Sequence, residues 1–150
     1  MNTKITEETK QKAIDFLDSK LGTSYKLGEK DNPIDCSGLI TRTMERIGEK
    51  IRDGSWNQWQ DSVAIPIEII DTGDYAFFKL DNMNGKVTHI GMVAVTPEGI
   101  FVYEASGSKG GVVKTPFNEF IQGRKTHSGT HIFAGVHRPT CILFNEDLKQ

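Results

Sequence analysis

Asp35-Cys36-Ser37-Gly38-Leu39-Ile40 decides how this chain is read. Small and polar residues run directly into an apolar pattern at helical spacing, Leu39, Ile40, Met44 and Ile47. The pattern predicts a helix that starts at Cys36, runs to about Ile47 and stops at Gly48. A thiol then sits in the first helical turn, where backbone N–H groups lack intrahelical partners and carry partial positive charge. Such a place favours thiolate, the nucleophilic form of cysteine. The competing reading is a small residue that packs the helix onto a core, which is the commoner fate of a lone cysteine. The rest of the chain has to supply the partners that a nucleophile needs.

Upstream, Glu7 to Leu21 reads as a first helix. Thr6 is its N-cap, Glu7 and Glu8 suit its positive end, and Ala13, Ile14, Leu17 and Leu21 form one apolar stripe that Gly22 ends. Thr23 to Pro33 is a loop rich in Gly, Lys, Asp and Asn. Downstream, Ser55 to Gln60 is a short helix with Trp56 and Trp59, and Ile67 to Ile70 is an apolar run. Turn residues then alternate with apolar runs. Asp71-Thr72-Gly73-Asp74, Asp81 to Gly85 and Thr96-Pro97-Glu98-Gly99 are turns, and Tyr75 to Leu80, Val87 to Val95 and Ile100 to Ala105 are strands. Gly107 to Gly111 is a loop, Val112-Val113 a short strand, Pro116 to Ile121 a helical turn and Gln122 to Thr130 a polar loop before a last strand, Ile132 to His137. Helices followed by antiparallel strands predict an α+β fold over residues 1–150 as one domain, with N-terminal helices packed on an antiparallel sheet of about five to six strands.

Composition narrows the function classes. The 150 residues carry a net charge of −2 with Lys and Arg dispersed, so no basic stripe points to nucleic acid. No apolar run reaches the roughly 18 residues that a membrane span needs. Met1 to Lys12 is polar and charged, without the apolar core of a signal peptide. The expectation is a protein made in the cytoplasm, which meets a cell wall after lysis or through an export route that uses no Sec signal. The two cysteines, Cys36 and Cys141, match no zinc spacing, and a disulfide between them would block the thiol at the helix start. Asp71, Asp74 and Asp81 lack the spacing of a calcium loop, and Gly107 to Gly111 follows no phosphate-binding pattern. The chemistry expected of Cys36 requires no metal and no cofactor.

A cysteine nucleophile needs a base, and the base an orienting group. Of four histidines, His89 opens the most apolar strand, while His127 and His131 lie in or beside the polar loop and His137 adjoins Arg138, a cation that disfavours imidazolium. Glu104 lies on the strand that returns from the His89 strand. The hairpin makes the two strands neighbours, but register decides whether the side chains share a face. Glu104 is therefore either the orienting group or a solvent-facing edge charge. Trp56 and Trp59 either line a sugar or peptide groove or divide between core and surface.

At this point the sequence resembles the NlpC-type cell-wall cysteine peptidases. Tyr25-Lys26-Leu27-Gly28 and Ile34-Asp35-Cys36-Ser37-Gly38-Leu39-Ile40 resemble the nucleophile segment. Thr72-Gly73-Asp74-Tyr75-Ala76-Phe77-Phe78, Thr88-His89-Ile90-Gly91-Met92-Val93, Val102-Tyr103-Glu104-Ala105-Ser106 and Phe133-Ala134-Gly135-Val136-His137-Arg138 resemble, in order, the strands that follow it. The resemblance implies a papain-like fold and hydrolysis of peptidoglycan stem peptides or muropeptides, usually at the γ-D-glutamyl bond to the diamino acid. It implies Cys36 as nucleophile, His89 as base and Glu104 at the third catalytic position. Tyr25 would lie over the site, and Asp35 and Ser37 would hold a substrate's free amino end. Two departures stand out: Glu104 replaces the family's usual histidine, and Glu29 follows Gly28 where a second glycine is expected. Alternatives on the same fold are an N-acetylmuramoyl-L-alanine amidase, an acyltransferase, or a module that binds wall or partner without cutting. The reading stays open among a phage lysin, an interbacterial effector and an enzyme for recycled muropeptides; an effector would add an immunity or delivery protein as partner.

Overall fold

The computed structural model describes residues 3–81 and 86–143. In chain order the elements are β1 (Thr3–Lys4), α1 (Glu7–Lys20), α2 (Cys36–Arg46), α3 (Ser55–Gln60), β2 (Ser62–Ile65), a 3-10 turn (Ile67–Ile69), β3 (Tyr75–Leu80), β4 (Val87–Thr96), β5 (Gly99–Ser106), β6 (Gly111–Pro116), α4 (Phe117–Phe120), β7 (Arg124–Thr126), β8 (Gly129–Pro139) and β9 (Ile142–Leu143). The main sheet runs β2-β8-β3-β4-β5-β6, with β7 on β8, and every pair is antiparallel. β1 and β9 form a separate parallel pair. This is the α+β arrangement expected from helices followed by strands.

Both N-terminal helices start where their capping residues stand. The Thr6 hydroxyl accepts the Thr9 N–H at 3.1 Å and opens α1. Asp35 Oδ1 accepts the Gly38 N–H at 2.7 Å and opens α2, so Cys36 is the first helical residue. Gly48 follows α2 with a positive φ of 95°, which a glycine adopts without the Cβ clash that other residues meet. α2 is amphipathic, and Leu39, Ile40 and Met44 are completely buried. Burying each such side chain stabilises the fold by about 1.5–3 kcal/mol. They join Ala13 and Leu17 of α1 with Ile90, Met92, Tyr103 and Ala105 of the sheet in one core. Trp56 and Trp59 pack at the margin of this core.

The opposite face has a core of its own. Ala76, Phe78, Val93 and Val102 pack there with Phe117 and Phe120 of α4. Alternation along a strand explains the division, since Tyr103 and Ala105 point to one face and Val102 to the other. By the same alternation Glu104 shares the second face with Val102.

Two strands of the main sheet escape the sequence pattern, as does the short β1–β9 pair. β2 is a short edge strand whose central Val63 and Ala64 are exposed, so it lacks apolar alternation. β7 lies inside the stretch expected to be the polar loop Gln122 to Thr130; Arg124-Lys125-Thr126 pairs with Gly129, Thr130 and His131 of β8. That pairing makes a strand of a wholly polar segment, and the loop expectation is corrected accordingly. The strand expected at Val112-Val113 extends over Gly111–Pro116. Most of the turn expected at Asp81 to Gly85 lies outside the described residues. No helix among the described residues is long and apolar enough to cross a membrane.

Candidate active site

The nucleophile candidate is positioned by helix capping. Asp35 and Ser37, on either side of Cys36, are buried, and Cys36 itself is 9% exposed. Of the amides in this first turn, Gly38 N–H goes to the Asp35 carboxylate and Leu39 N–H to the Asp35 carbonyl. The Cys36 N–H belongs to the turn for which an α-helix supplies no acceptor. Cys36 and Cys141 are both free thiols.

His89 stands near the start of β4, at the end of the sheet that α2 meets. Its ring stacks on Phe78 at 5.6 Å between centroids, and Phe78 stacks in turn on Phe120 at 4.2 Å. His89 Nε2 lies 2.7 Å from Glu104 Oε1. The register explains the contact: Met92 pairs with Tyr103, so His89 and Glu104 are diagonal neighbours on one face. Gly91, between them on that face, leaves the required space. A Cβ there would sit 2.4 Å from Val102 Cγ1 and 2.9 Å from the Tyr103 carbonyl.

Glu104 is fully buried, and each of its oxygens is used. Arg124 Nη1 donates to Oε1 at 2.7 Å and Nη2 to Oε2 at 2.8 Å, while the Thr115 hydroxyl donates to Oε2 at 2.6 Å. Burial alone would raise the carboxyl's pKa; hydrogen bonds and charge from His89 and Arg124 overcome it and hold the group at about 2. Glu104 is thus an anionic acceptor, and Nε2 of His89 carries the proton between them. Nδ1 is then the ring nitrogen left to serve the thiol. Burial pushes the imidazolium down, but hydrogen bonds with Cys36 and Glu104 outweigh it and lift His89 to about 9. The arrangement keeps the imidazole charged at neutral pH and ready to give up a proton.

Arg124 is the residue that sequence reasoning missed. It sits in a polar segment with no periodicity, and only the β7–β8 pairing aims it at Glu104. Its guanidinium also lies over the Phe78 ring at 4.9 Å. A cleft of about 290 Å³ opens beside His89 and Arg124, with Tyr25, Ser106, His127 and His131 on its walls. Tyr25 packs on Gly107, where a Cβ would come within 3.2 Å of the ring. Burial, then the Cys36 and Asp35 charges, raise the Tyr25 pKa, so the phenol remains a hydrogen-bond donor. His131 bonds to Thr126 Oγ1 at 3.0 Å, and burial together with the neighbouring cations pushes its pKa down.

The remaining candidates lie away from this cluster. His137 packs at a tilt on Trp59, 4.0 Å between centroids, and bonds to Ser62 Oγ at 3.0 Å. Asp74 is fully buried against Arg138, and Asp71 pairs with Lys10. Among the described residues no three His, Cys, Asp or Glu side chains gather as a metal site. Asp35 and Ser37, expected to receive a substrate's amino end, contact the chain's own Lys30: its Nζ lies 2.7 Å from Asp35 Oδ2 and 3.3 Å from Ser37 Oγ.

Solved structures share this architecture. A lipoprotein-like protein of the NLP/P60 family from Staphylococcus aureus superposes with a TM-score of 0.70 at 22% identity, over 95% of this chain and 44% of its own. The P60 domain of an antigen from M. avium subspecies paratuberculosis gives 0.64 at 24% identity, over 87% of this chain and 94% of its own. The peptidoglycan hydrolase RipB of Mycobacterium tuberculosis gives 0.64 at 24% identity, over 89% of this chain and 68% of its own. This chain therefore spans less than half of the staphylococcal protein. No curated protein matches it in sequence. The sequence pattern of the NlpC/P60 family matches residues 22–131, a stretch that holds Cys36, His89, Glu104 and Arg124. The chain belongs to the NlpC/P60 family.

Proposed function

We propose that this protein is a peptidoglycan hydrolase, a cysteine peptidase that cuts an amide bond in cell-wall stem peptides. The observation that carries the reading is the 2.7 Å contact between His89 Nε2 and Glu104 Oε1, on an imidazole whose other partner is the helix-start thiol of Cys36. Family membership supports it, as do fold relatives that include RipB and the peptidoglycan hydrolase SagA. Within the family's usual chemistry, the γ-D-glutamyl bond to the diamino acid is the favoured target.

In this mechanism Cys36 attacks the amide carbon as thiolate, with His89 as its imidazolium partner. The carbonyl oxygen takes up the charge and is stabilised by the Cys36 N–H and the Tyr25 hydroxyl. His89 gives its Nδ1 proton to the leaving nitrogen as the C–N bond breaks and a thioester remains. Water, deprotonated by His89, then releases the acid and frees the thiol. Glu104 keeps the ring in one tautomer and stabilises its charged form, as the acid of a triad does. Arg124 and Thr115 hold Glu104 in place.

The reading is tested by digesting purified muropeptides and weighing the products. The expected products are two fragments whose masses sum to that of the substrate plus one water, with loss of activity in Cys36→Ala. Full activity in that variant would end the proposal. Release of free sugar and intact stem would replace the peptidase by an amidase, and binding without cutting by wild type would leave a wall-binding module.

A further inference from the structure

Oxygens of Asp35 and Ser37, which flank Cys36, and of Asp53 form a receptor for an ammonium group, and the chain fills it itself. Lys30 Nζ lies 2.7 Å from Asp35 Oδ2, 2.6 Å from Asp53 Oδ2 and 3.3 Å from Ser37 Oγ. An ammonium has three donors, and these three oxygens match them. The receptor is held from behind. Asp35 also accepts the N–H groups of Gly38 and Gly28, and Asp53 accepts the Thr41 hydroxyl at 3.1 Å. Burial disfavours the charged lysine, but the bonds to Asp35 and Asp53 outweigh it and raise its pKa, so the cation persists across the working range. Arg42 Nε donates to the Lys30 carbonyl at 2.9 Å, which fixes the backbone from which the side chain reaches in.

The receptor borders the cleft, because Ile34, next to Asp35, bridges both to Tyr25 on the cleft wall and to Lys30, so a substrate bonded to Cys36 passes beside it. A free amine on that substrate would meet an occupied receptor and a like charge. A neutral, acylated nitrogen would meet neither penalty. On the reading of this protein as a stem-peptide hydrolase, we infer that Lys30 selects against a free amino end. The substrates are then peptides whose first nitrogen is acylated, as in a stem still joined to its sugar, rather than released stem peptides.

The test compares two synthetic stem peptides that differ only in a free or an acetylated amino end. Wild type is expected to cut the acetylated peptide with kcat/KM about tenfold higher or more, carried mainly by KM, the scale of one or two charge-assisted bonds. Lys30→Met keeps the stem of the side chain and removes the charge. It is expected to lower KM for the free-amine peptide about tenfold and to erase or invert the preference, while Lys30→Arg retains it. Equal cutting of both peptides by wild type, or preference for the free amine, overturns the inference and leaves the peptidase reading intact. An unchanged ratio in a folded Lys30→Met overturns it as well. Failure of wild type to cut either peptide, together with muropeptides, overturns the peptidase reading and the inference with it. The wild-type comparison decides the matter even where Lys30→Met does not fold.

Discussion

Two regions of this molecule each hold one cysteine and one histidine packed on an aromatic ring, and their surroundings diverge. His89 stacks on Phe78 and bonds to a buried carboxylate; His137 packs at a tilt on Trp59 and bonds to a neutral hydroxyl. The first imidazole is lifted to about 9, and burial pushes the second below its ordinary range. The thiols differ in their surroundings. Cys36 lies at a helix start beside a cationic ring, whereas burial and the Glu49 charge drive Cys141 up to about 12. Contact with an aromatic ring and burial are common to both regions. The difference is the neighbouring charge: an anion beside one ring and a neutral hydroxyl beside the other, a cation beside one thiol and an anion beside the other. On the proposed function, that charge selects Cys36 as the nucleophile.

Removing the base should break the comparison most completely. His89→Ala is expected to reduce muropeptide cleavage about 10⁴-fold or more, because nucleophile and base act as a unit. His137→Ala should alter stability and leave kcat within about twofold, since a residue without contact to the reacting atoms contributes no general acid or base catalysis. Steady-state assays on matched folded preparations check both.

Glu104→Gln makes the His89 region resemble the His137 region. Loss of the orienting anion is expected to lower kcat about 10²–10³-fold, the scale of a misaligned acid–base partner. The substitution also has a pH signature. The His89 pKa is raised from 6.5 to about 9, so its stabilising contribution is complete below 6.5 and fades as pH rises through about 9. Glu104 is held at about 2 instead of 4.5, so its contribution is present above 4.5 and fades as pH falls through about 2. Urea unfolding should show wild type losing on the order of 2–3 kcal/mol between pH 6.5 and strongly alkaline solution. That slope should shrink in Glu104→Gln, and an unchanged slope would refute the coupling.

The legibility of this site from sequence follows the strength of its local signals. The cap, the apolar stripe of α2 and the setting of His89 are local patterns, and the structure reproduces those elements. Glu104 was readable only as a strand residue with two fates. The contact to His89 depends on β4–β5 register and on the room left by Gly91, neither of which composition reveals. Arg124 and Lys30 were not readable at all. One is a polar residue in a strand formed only by pairing, and the other a loop lysine whose partners Asp35 and Asp53 come together through folding. Nothing in a single sequence separates such lysines and arginines from solvated surface charge.

Arg124→Met sharpens the comparison at smaller scale. The carboxylate stays beside His89 but loses its bidentate clamp, so the acid limb of the activity profile should move upward as Glu104 becomes easier to protonate. Stability should fall by about 3 kcal/mol, the cost of stranding one partner of a buried pair. A profile identical to wild type would show that Arg124 holds the fold and not the site. Cys141→Ala should have the smallest effect, with activity within about twofold of wild type, because a thiol kept protonated contributes no nucleophile.

The most direct measurement is the rate at which iodoacetamide modifies each cysteine of the folded protein, read by mass mapping of the two cysteine peptides at neutral pH. The account predicts that Cys36 is alkylated first, that His89→Ala slows its reaction, and that Cys141 stays unmodified until the protein unfolds. Alkylation of Cys141 as fast as Cys36, or a Cys36 rate indifferent to His89→Ala, would contradict it.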